Sequence, residues 1–280
     1  MTTRAAAADE GAARDGLYSG ELSIIGRVTT ASNLTLVCEI DAPAVDGGGE
    51  PLRVVYKPVR GERPLWDFPD GTLAGREVAS YLVSAALGWS VIPETILREG
   101  PLGPGMVQRW IETVDPGESA PQRLDLVDLV PAGAVPAGFR EVLRAVDGTG
   151  ARVSLVHADD PRLRRMAVLD VLLNNADRKG GHALEGVDGG VYGVDHGICL
   201  HSEPKLRTVL WGWAGEPVGE ELLGDIAEFA DRLPGPIGAA LAEHITDDEI
   251  EALEARAREL LNDPVLPQPI SSRPIPWPAF

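Results

Sequence analysis

Two aspartates and one histidine in the second half of the chain have the types and the spacing for phosphoryl transfer. Asp177 lies five residues before His182, and Asp195 opens an Asp-x-Gly turn eighteen residues after Asp177. One known arrangement for phosphoryl transfer to a hydroxyl has an aspartate that accepts the hydroxyl proton, a metal ligand five residues later and a metal-binding aspartate in an Asp-x-Gly turn. We therefore predict that Asp177 is catalytic and that His182 and Asp195 bind a divalent metal.

The elements around these residues are consistent with this interpretation. Arg162–Leu173, directly before the loop that carries Asp177, has a helical pattern and is apolar nearly all round in its second half apart from Asp170. Such a helix is expected to be central and buried. Val191–Val194 is predicted to be a short strand that leads directly into Asp195.

A second chemical pair lies near the start of the chain. Lys57 ends a predicted β-branched strand, Leu52–Lys57, and Glu77 lies twenty residues later on a predicted helix that ends at Gly88. A glutamate on a helix can orient a strand lysine so that its ammonium holds nucleotide phosphates. On its own such a pair is weak, because most lysine–glutamate pairs lie on the surface and do nothing more.

The order of these features resembles a kinase. The loop Asn175–Arg178 (Asn-Ala-Asp-Arg) is similar to the Asn-Thr-Asp-Arg of HipA-like kinases, and an Asp-Arg pair after a buried helix resembles the atypical kinases of the phosphatidylinositol 3-/4-kinase and HipA-like group. The resemblance covers roughly Gly26 to Gly197, and the chain looks like a poorly characterised actinobacterial branch of that group. It implies an α+β, two-lobed, protein-kinase-like fold with a β-rich N-lobe and a helical C-lobe, ATP as the donor, and Mg²⁺ or Mn²⁺.

Two residues depart from the pattern of that group. His182 takes the place of the usual asparagine. Lys179, two residues after the predicted catalytic aspartate, takes the place of the usual histidine. Imidazole prefers softer ions than Mg²⁺, which favours Mn²⁺. The resemblance implies that Lys179 contacts the transferred phosphate. A nucleotide-binding pseudokinase that acts as a regulatory module, and an enzyme that transfers AMP, remain alternatives for the same residues.

The resemblance also implies nucleotide contacts in the N-lobe. The turn Thr29–Asn33 has the position of a nucleotide-covering loop, where the Ser32 hydroxyl and backbone N–H groups near Asn33 could hold phosphates. An ordinary hairpin tip is the alternative. Gln108 to Trp110 have the position of the adenine-binding hinge, whose backbone groups would contact the base.

The segment after Asp195 is the candidate acceptor region. Lys205 and Arg207 could bind an anionic acceptor, and a solvated loop is the alternative. Trp211 and Trp213 form an aromatic patch that either packs in the core of the C-lobe or serves as a substrate platform.

A zinc hydrolase is the third hypothesis. His182, His196 and His201 lie with Asp195 within twenty residues, and such ligands could hold Zn²⁺. However, no pair has the spacing of an HExxH helix, and a zinc site leaves the lysine–glutamate pair without a use.

Composition excludes several classes of protein. The chain has 280 residues, 44% of them hydrophobic, and a net charge of −18, so it is neither disordered as a whole nor suited to bind nucleic acid or an anionic membrane surface. Of the 25 basic residues only three are lysines, at positions 57, 179 and 205, and all three fall in the predicted site. The two cysteines form no CxxC motif, and no signal peptide is recognisable, so we expect a cytoplasmic protein.

The predicted organisation has four parts. Their bounds are 1–16 for a flexible tail, 17–112 for a nucleotide-binding N-lobe, 113–263 for a C-lobe with the catalytic loop and metal site, and 264–280 for a Pro-rich C-terminal tail. Within the third part we predict a short helix over Gln122–Val130 and a hairpin of Glu141–Val146 with Arg152–His157. The expected partners are ATP and a hydroxyl acceptor, either a protein or a small molecule, with no nucleic acid and no membrane.

Overall fold

The computed structural model describes residues 16–29, 31–41, 51–113 and 124–280. Its first part contains an antiparallel sheet of five strands in the order β1-β2-β3-β5-β4. These strands are β1 (Leu22–Arg27), β2 (Leu36–Ile40), β3 (Leu52–Pro58), β4 (Thr95–Gly100) and β5 (Gly103–Arg109). The predicted tail over 1–16 lies, except for its last residue, outside the described residues.

Helix α1 (Leu73–Ala86) packs on this sheet and carries Glu77. It begins after Thr72, whose side-chain oxygen accepts a hydrogen bond from the backbone N–H of Gly75, and it is followed by Gly88 with φ 71°. Only a residue that tolerates the left-handed region ends a helix in this way at little cost. The strand that carries Lys57 and the helix that carries Glu77 are therefore confirmed.

A second antiparallel sheet, of three strands, follows. It has the order β6-β8-β7 and consists of β6 (Val127–Pro131), β7 (Phe139–Val146) and β8 (Arg152–Ala158). The predicted hairpin over Glu141–Val146 and Arg152–His157 is confirmed. The helix predicted over Gln122–Val130 is wrong in its described part, because Val127 pairs with His157 of β8 and both Val127 and Val130 are buried. Pairing with a neighbouring strand overrides local helical preference here.

The rest of the chain is mainly helical and surrounds helix α2 (Pro161–Leu173). The Asp160 carboxylate caps the start of α2 by accepting a hydrogen bond from the backbone N–H of Arg162, and most of the apolar side chains of α2 are buried. The central buried helix is thus confirmed. A short hairpin of β9 (Ala183–Glu185) and β10 (Val191–Gly193) follows, and then α3 (Glu220–Arg232), α4 (Gly238–Leu241) and α5 (Asp247–Asn262).

Polar contacts link helix α1, and Trp89 shortly after it, to the helical part of the chain. The Arg76 guanidinium lies 2.7 Å from the Glu249 carboxylate on α5 and donates a hydrogen bond of 3.0 Å to the carbonyl of Cys199. The indole N–H of Trp89 donates to the Asp225 carboxylate at 2.7 Å. The five-stranded sheet and the helices around α2 confirm the α+β class and the division into a β-rich and a helical part. Contacts between these two parts hold the helix of Glu77 in place.

No helix in the described ranges is long and apolar enough to cross a lipid bilayer. The last segment, from residue 264 onward, has no helix or strand, yet Val265 forms a bridge with Pro217 and Leu266 is buried.

His157 gives the first testable prediction, which concerns pH. Its ring is fully buried, Nε2 accepts a hydrogen bond from the backbone N–H of Gly212, and burial lowers its pKa to about 4. The unfolded chain holds this proton up to its ordinary pKa of about 6.5. Unfolding therefore takes up a proton between about pH 4 and pH 6.5, and the free energy of unfolding falls as the pH is lowered through this window.

Urea unfolding at pH 4.5 and pH 7 measures this dependence. His157→Gln keeps an acceptor for Gly212 but has no proton to take up, so the loss of stability at low pH is expected to be smaller in this variant. An equal loss in both proteins would show that His157 does not contribute.

Candidate functional site

Lys57, on β3, contacts one residue on each of two other elements. Its Nζ lies 2.6 Å from Oε1 of Glu77 on α1 and 2.7 Å from Oδ1 of Asp195 in the turn after β10. Burial by itself would lower the pKa of Lys57, but the two carboxylates more than offset this and raise it, so the ammonium stays charged. Burial raises the pKa of Glu77, and its second oxygen has no hydrogen-bond partner among the described residues.

Asp195 has one oxygen bound to Lys57 and the other turned towards His182. Its backbone has φ 62°, and 49% of its side chain is exposed. The ammonium of Lys57 holds the pKa of Asp195 well below its usual range, so the carboxylate is ionised. A non-glycine residue in the left-handed region is uncommon and costs free energy, and such residues are concentrated at functional sites.

The His182 ring completes this group. Its Nε2 lies 3.4 Å from Oδ2 of Asp195, and burial lowers the pKa of His182 to about 4, so that the ring is neutral near pH 7. Its Nδ1 is buried and has no partner within the described part of the chain. A neutral imidazole beside an ionised, half-exposed carboxylate fits a divalent cation that takes its remaining ligands from phosphate and water.

The three-histidine zinc site is not formed. The His201 ring packs on the ring of Phe68 with centroids 5.1 Å apart, and Nε2 of His196 accepts a hydrogen bond from Arg178. Over the described residues no group of three or more histidine, cysteine, aspartate or glutamate side chains is placed to hold a metal ion. The structure therefore does not support the zinc hydrolase hypothesis.

Asp177 lies beside Lys179. The Lys179 ammonium is 3.3 Å from Oδ2 of Asp177, and the Asp177 backbone N–H donates to the side-chain oxygen of Asn175. Burial raises the pKa of the Asp177 carboxyl, while Lys179 and Arg207 oppose that rise. A carboxylate with a raised pKa is a better proton acceptor than an ordinary surface aspartate.

A buried ion pair holds the loop of Asp177 in place. The Arg178 guanidinium is fully buried, lies 2.9 Å from the equally buried Asp170 carboxylate of α2, and donates to the carbonyls of His182 and Val194. It also donates to Nε2 of His196, and a guanidinium can only donate, so that nitrogen carries no proton. One side chain thus connects the loop of Asp177 to the Asp-x-Gly turn.

Two further side chains share the Asp170 carboxylate. The Asn175 amide donates to one oxygen at 2.9 Å, and the Thr208 hydroxyl donates to the other at 3.0 Å. The sequence argument did not assign functions to Asp170, Arg178 and Thr208. The signal for the first was present, because Asp170 is the exceptional charge in an apolar helix, but its partners lie up to 38 residues away.

Gly197 of the Asp-x-Gly turn packs closely on α1. A Cβ at this position would lie 3.2 Å from Cβ of Leu73, at the start of the helix that carries Glu77. A side chain here would press on α1, so glycine favours the close approach of this turn to the helix of Glu77.

The residues of the predicted nucleotide-covering turn are only partly described, since residue 30 lies outside the described residues. Ser32 is exposed, and the side-chain oxygen of Asn33 accepts a hydrogen bond from the backbone N–H of Arg63. The hydroxyl of Ser32 is thus open to solvent, whereas the Asn33 side chain is engaged. The phosphate contact of this turn stays a prediction.

The predicted hinge residues lie at the end of β5. The Gln108 side chain is buried and donates to the hydroxyl of Thr95 at 2.8 Å, and the backbone N–H of Trp110 donates to the carbonyl of Arg53 at 3.1 Å. Both groups have partners inside the protein. Adenine binding would therefore have to use other backbone atoms of this segment, and it stays a prediction.

The two predicted acceptor residues, Lys205 and Arg207, have different contacts. Lys205 lies over the Phe68 ring at 5.7 Å, with Nζ 3.6 Å from Glu203 and 3.8 Å from Asp67. Nearby carboxylates thus already balance its charge. The backbone of Arg207 bonds to the loop of Asp177, because its N–H donates to the carbonyl of Asn175 at 2.8 Å and its carbonyl accepts from the N–H of Arg178 at 3.1 Å. The assignment of both to an acceptor site stays a prediction.

The two tryptophans of the aromatic patch, Trp211 and Trp213, also differ in their contacts. Trp213 is fully buried in the core, and Trp211 donates its indole N–H to the carbonyl of Pro274. Core packing is therefore the use of Trp213.

Comparison with known proteins gives one strong match. No protein-family model matches the chain. Protein Rv2133c of Mycobacterium tuberculosis (strain ATCC 25618 / H37Rv) is 57% identical over 268 residues, which cover 94% of each chain.

Two solved structures are similar at a lower level. Hydra Fam20 with sugar has a TM-score of 0.47 and 13% identity, covering 89% of this chain and 87% of that one. The proinflammatory kinase CtkA of Helicobacter pylori has a TM-score of 0.46 and 12% identity, covering 89% of this chain and 94% of that one. Neither likeness is high enough to transfer a function.

Proposed function

We propose, from its own residues, that this chain, which belongs to the same family as protein Rv2133c, is an ATP-dependent phosphotransferase of the atypical kinase type. The observation that carries the proposal is the double contact of Lys57. A strand lysine, a helix glutamate and an Asp-x-Gly aspartate, up to 138 residues apart, meet within hydrogen-bonding distance. These are the three groups that orient nucleotide phosphates in phosphoryl transfer.

Lys57 and Glu77 hold the donor in this proposal. The Glu77 carboxylate keeps the ammonium in one position, where it binds phosphate oxygens of ATP. A divalent cation, Mg²⁺ or Mn²⁺, bound by Asp195 and His182 would neutralise phosphate charge. Because His182 is neutral near pH 7, it can offer a nitrogen lone pair for this purpose.

Asp177 and Lys179 act on the acceptor side. The Asp177 carboxylate orients the acceptor hydroxyl and takes its proton as the new oxygen–phosphorus bond forms and ADP leaves. The Lys179 ammonium, 3.3 Å from that carboxylate, places a positive charge beside the transferred phosphate. Most of the rate enhancement then comes from positioning and from charge neutralisation.

The finer grouping is part of the proposal. The Asn-Ala-Asp-Arg loop supports a place near the phosphatidylinositol 3-/4-kinase and HipA-like kinases. The net charge of −18 disfavours an anionic lipid surface as acceptor, so we propose a hydroxyl of a protein or of a small soluble molecule, with Lys205 and Arg207 nearby.

The test is the product formed from ATP. The purified protein is incubated with ATP and either Mg²⁺ or Mn²⁺, and the products are analysed. ADP supports phosphoryl transfer, and pyrophosphate supports AMP transfer instead. Nucleotide binding without turnover supports the pseudokinase alternative. Failure of any nucleotide to bind overturns the whole proposal.

A Lys57→Met variant tests the observation on which the proposal rests. ATP at 100 times its dissociation constant should stabilise the wild-type protein by about 2.7 kcal/mol, which is visible as a rise in the melting temperature. This rise is expected to shrink in Lys57→Met, because the positive charge at the phosphates is gone. Arg258→Met, which removes an exposed cation on α5, serves as the control and should keep the full rise.

A further inference from the structure

The segment Pro274–Phe280 lies against the loop that carries Asp177. The carbonyl of Ala279 accepts a hydrogen bond of 2.8 Å from the backbone N–H of Gly180. The carbonyl of Pro274 accepts two more, from the backbone N–H of Thr208 at 3.0 Å and from the indole N–H of Trp211 at 2.8 Å. This segment is therefore hydrogen-bonded to the loop that carries Asp177 and to Thr208 and Trp211.

The ring of Phe280 rests directly on Gly180. A Cβ at position 180 would lie 2.5 Å from a carbon of that ring, closer than real Cβ contacts come, and Gly180 itself is buried. Gly180 lies directly after Lys179 and two residues before His182. The absence of a side chain at Gly180 thus allows an aromatic ring to cover the backbone between two proposed functional groups.

The segment also reaches the buried ion pair from the other side. Thr208, which donates its backbone N–H to Pro274, bridges to Arg178 and donates its hydroxyl to Asp170. The catalytic loop is thus held on one side by α2 through Asp170 and on the other by the segment Pro274–Phe280.

We propose that the segment Pro274–Phe280 is a brace of the catalytic loop, in which Ala279 and Phe280 are positioning residues for Lys179 and His182. The inference rests on the proposed function. Without the brace, the Gly180 N–H would be a buried donor that has lost its partner, and the loop would have to move to satisfy it. A displacement of about 1 Å in a reacting group can cost roughly 100-fold in rate.

The contacts favour a supporting role over an inhibitory one. Within the described chain, no hydrogen bond from this segment goes to the side chain of Asp177, Asp195 or Lys57. The Asp195 side chain also stays 49% exposed. The segment therefore supports the loop from outside and leaves the charged groups open.

Phe280→Ala is the first test variant, with Ile270→Ala as its matched control. Ile270 is an apolar residue of the same tail that is 89% exposed. We expect ATP turnover to fall roughly 10- to 100-fold in Phe280→Ala and to stay unchanged in Ile270→Ala. The melting shift given by ATP should persist in both variants, because the contacts of Lys57 are not touched.

Gly180→Ala tests the contact from the other side. The added Cβ displaces the Phe280 ring, so turnover is expected to fall in this variant as well. In the double variant the Cβ has room, and the combined loss should be no larger than that of either single change. Fully additive losses, or turnover that rises in Phe280→Ala as for an inhibitory segment, would overturn the inference.

Hydrogen exchange separates this inference from the proposed function, since it needs no activity. The Gly180 amide is expected to exchange at least about 10-fold faster in Phe280→Ala than in the wild type, because its hydrogen bond to Ala279 opens. An unchanged exchange rate refutes the brace even if the protein is an active kinase. Faster exchange supports the brace even if the wild-type protein shows no turnover.

Discussion

Asp177→Asn is expected to lower ATP turnover by roughly 10²- to 10⁴-fold, the range typical for loss of a general base. Asparagine has the shape of aspartate but cannot accept the proton of the acceptor hydroxyl. It also removes the negative charge that faces Lys179 at 3.3 Å. The melting shift given by ATP should persist, because the proposed donor contacts of Lys57 and Asp195 are not touched.

Steady-state turnover and melting curves of the same preparations measure both parts of this prediction. Asp231→Asn, an exposed residue of α3, is the matched control and should behave as the wild type. Full turnover in Asp177→Asn would show that another group accepts the proton. Loss of the ATP-dependent melting shift would show that Asp177 acts in nucleotide binding rather than in the chemical step.

Asp170→Ala is expected to lower the free energy of unfolding by about 3–5 kcal/mol, the usual cost of breaking a buried ion pair by removing one partner. The Arg178 guanidinium would be left as a buried charge without its carboxylate, and Asn175 and Thr208 would lose the oxygens to which they donate. No other described side chain accepts all three of these donors.

Urea unfolding measures this loss, with Glu228→Ala as the control. Glu228 pairs with Arg232 on the exposed face of α3, and an exposed pair of this kind contributes at most about 1 kcal/mol. If Asp170→Ala does not fold, Asp170→Asn, which keeps one side-chain oxygen, should fold with reduced stability. A change below about 1 kcal/mol in Asp170→Ala would contradict the assignment of Asp170 as the anchor of the loop.

Several elements followed from local signals in the sequence. The cap at Asp160 and the apolar pattern after it predicted α2, and the Gly at position 88 marked the end of the helix that carries Glu77. Capping and helical periodicity act over a few residues, so they can be recognised without knowing the rest of the fold. The helix predicted over 122–130 failed because Val127 finds its partner on β8, thirty residues away.

The candidate site divides along the same line. The sequence by itself predicted the candidate reactive residues, because the spacing of Asp177, His182 and Asp195 is local and the three lysines are so few. It could not show whether His182 and Asp195 would lie near one another or whether His201 would join them to bind zinc. The structure brings the first two within 3.4 Å and places His201 on Phe68.

What only the tertiary structure decided is the support of the site. That Arg178 is buried against Asp170, that Lys57 contacts two carboxylates at once, and that Phe280 covers Gly180 all depend on which elements pack together. The role of a buried charge or of a glycine in close contact can be recognised only together with the residue that it contacts. These contacting residues lie 8 to 138 residues away in the chain. Local spacing therefore predicted the candidate reactive groups, whereas packing determined how they are held.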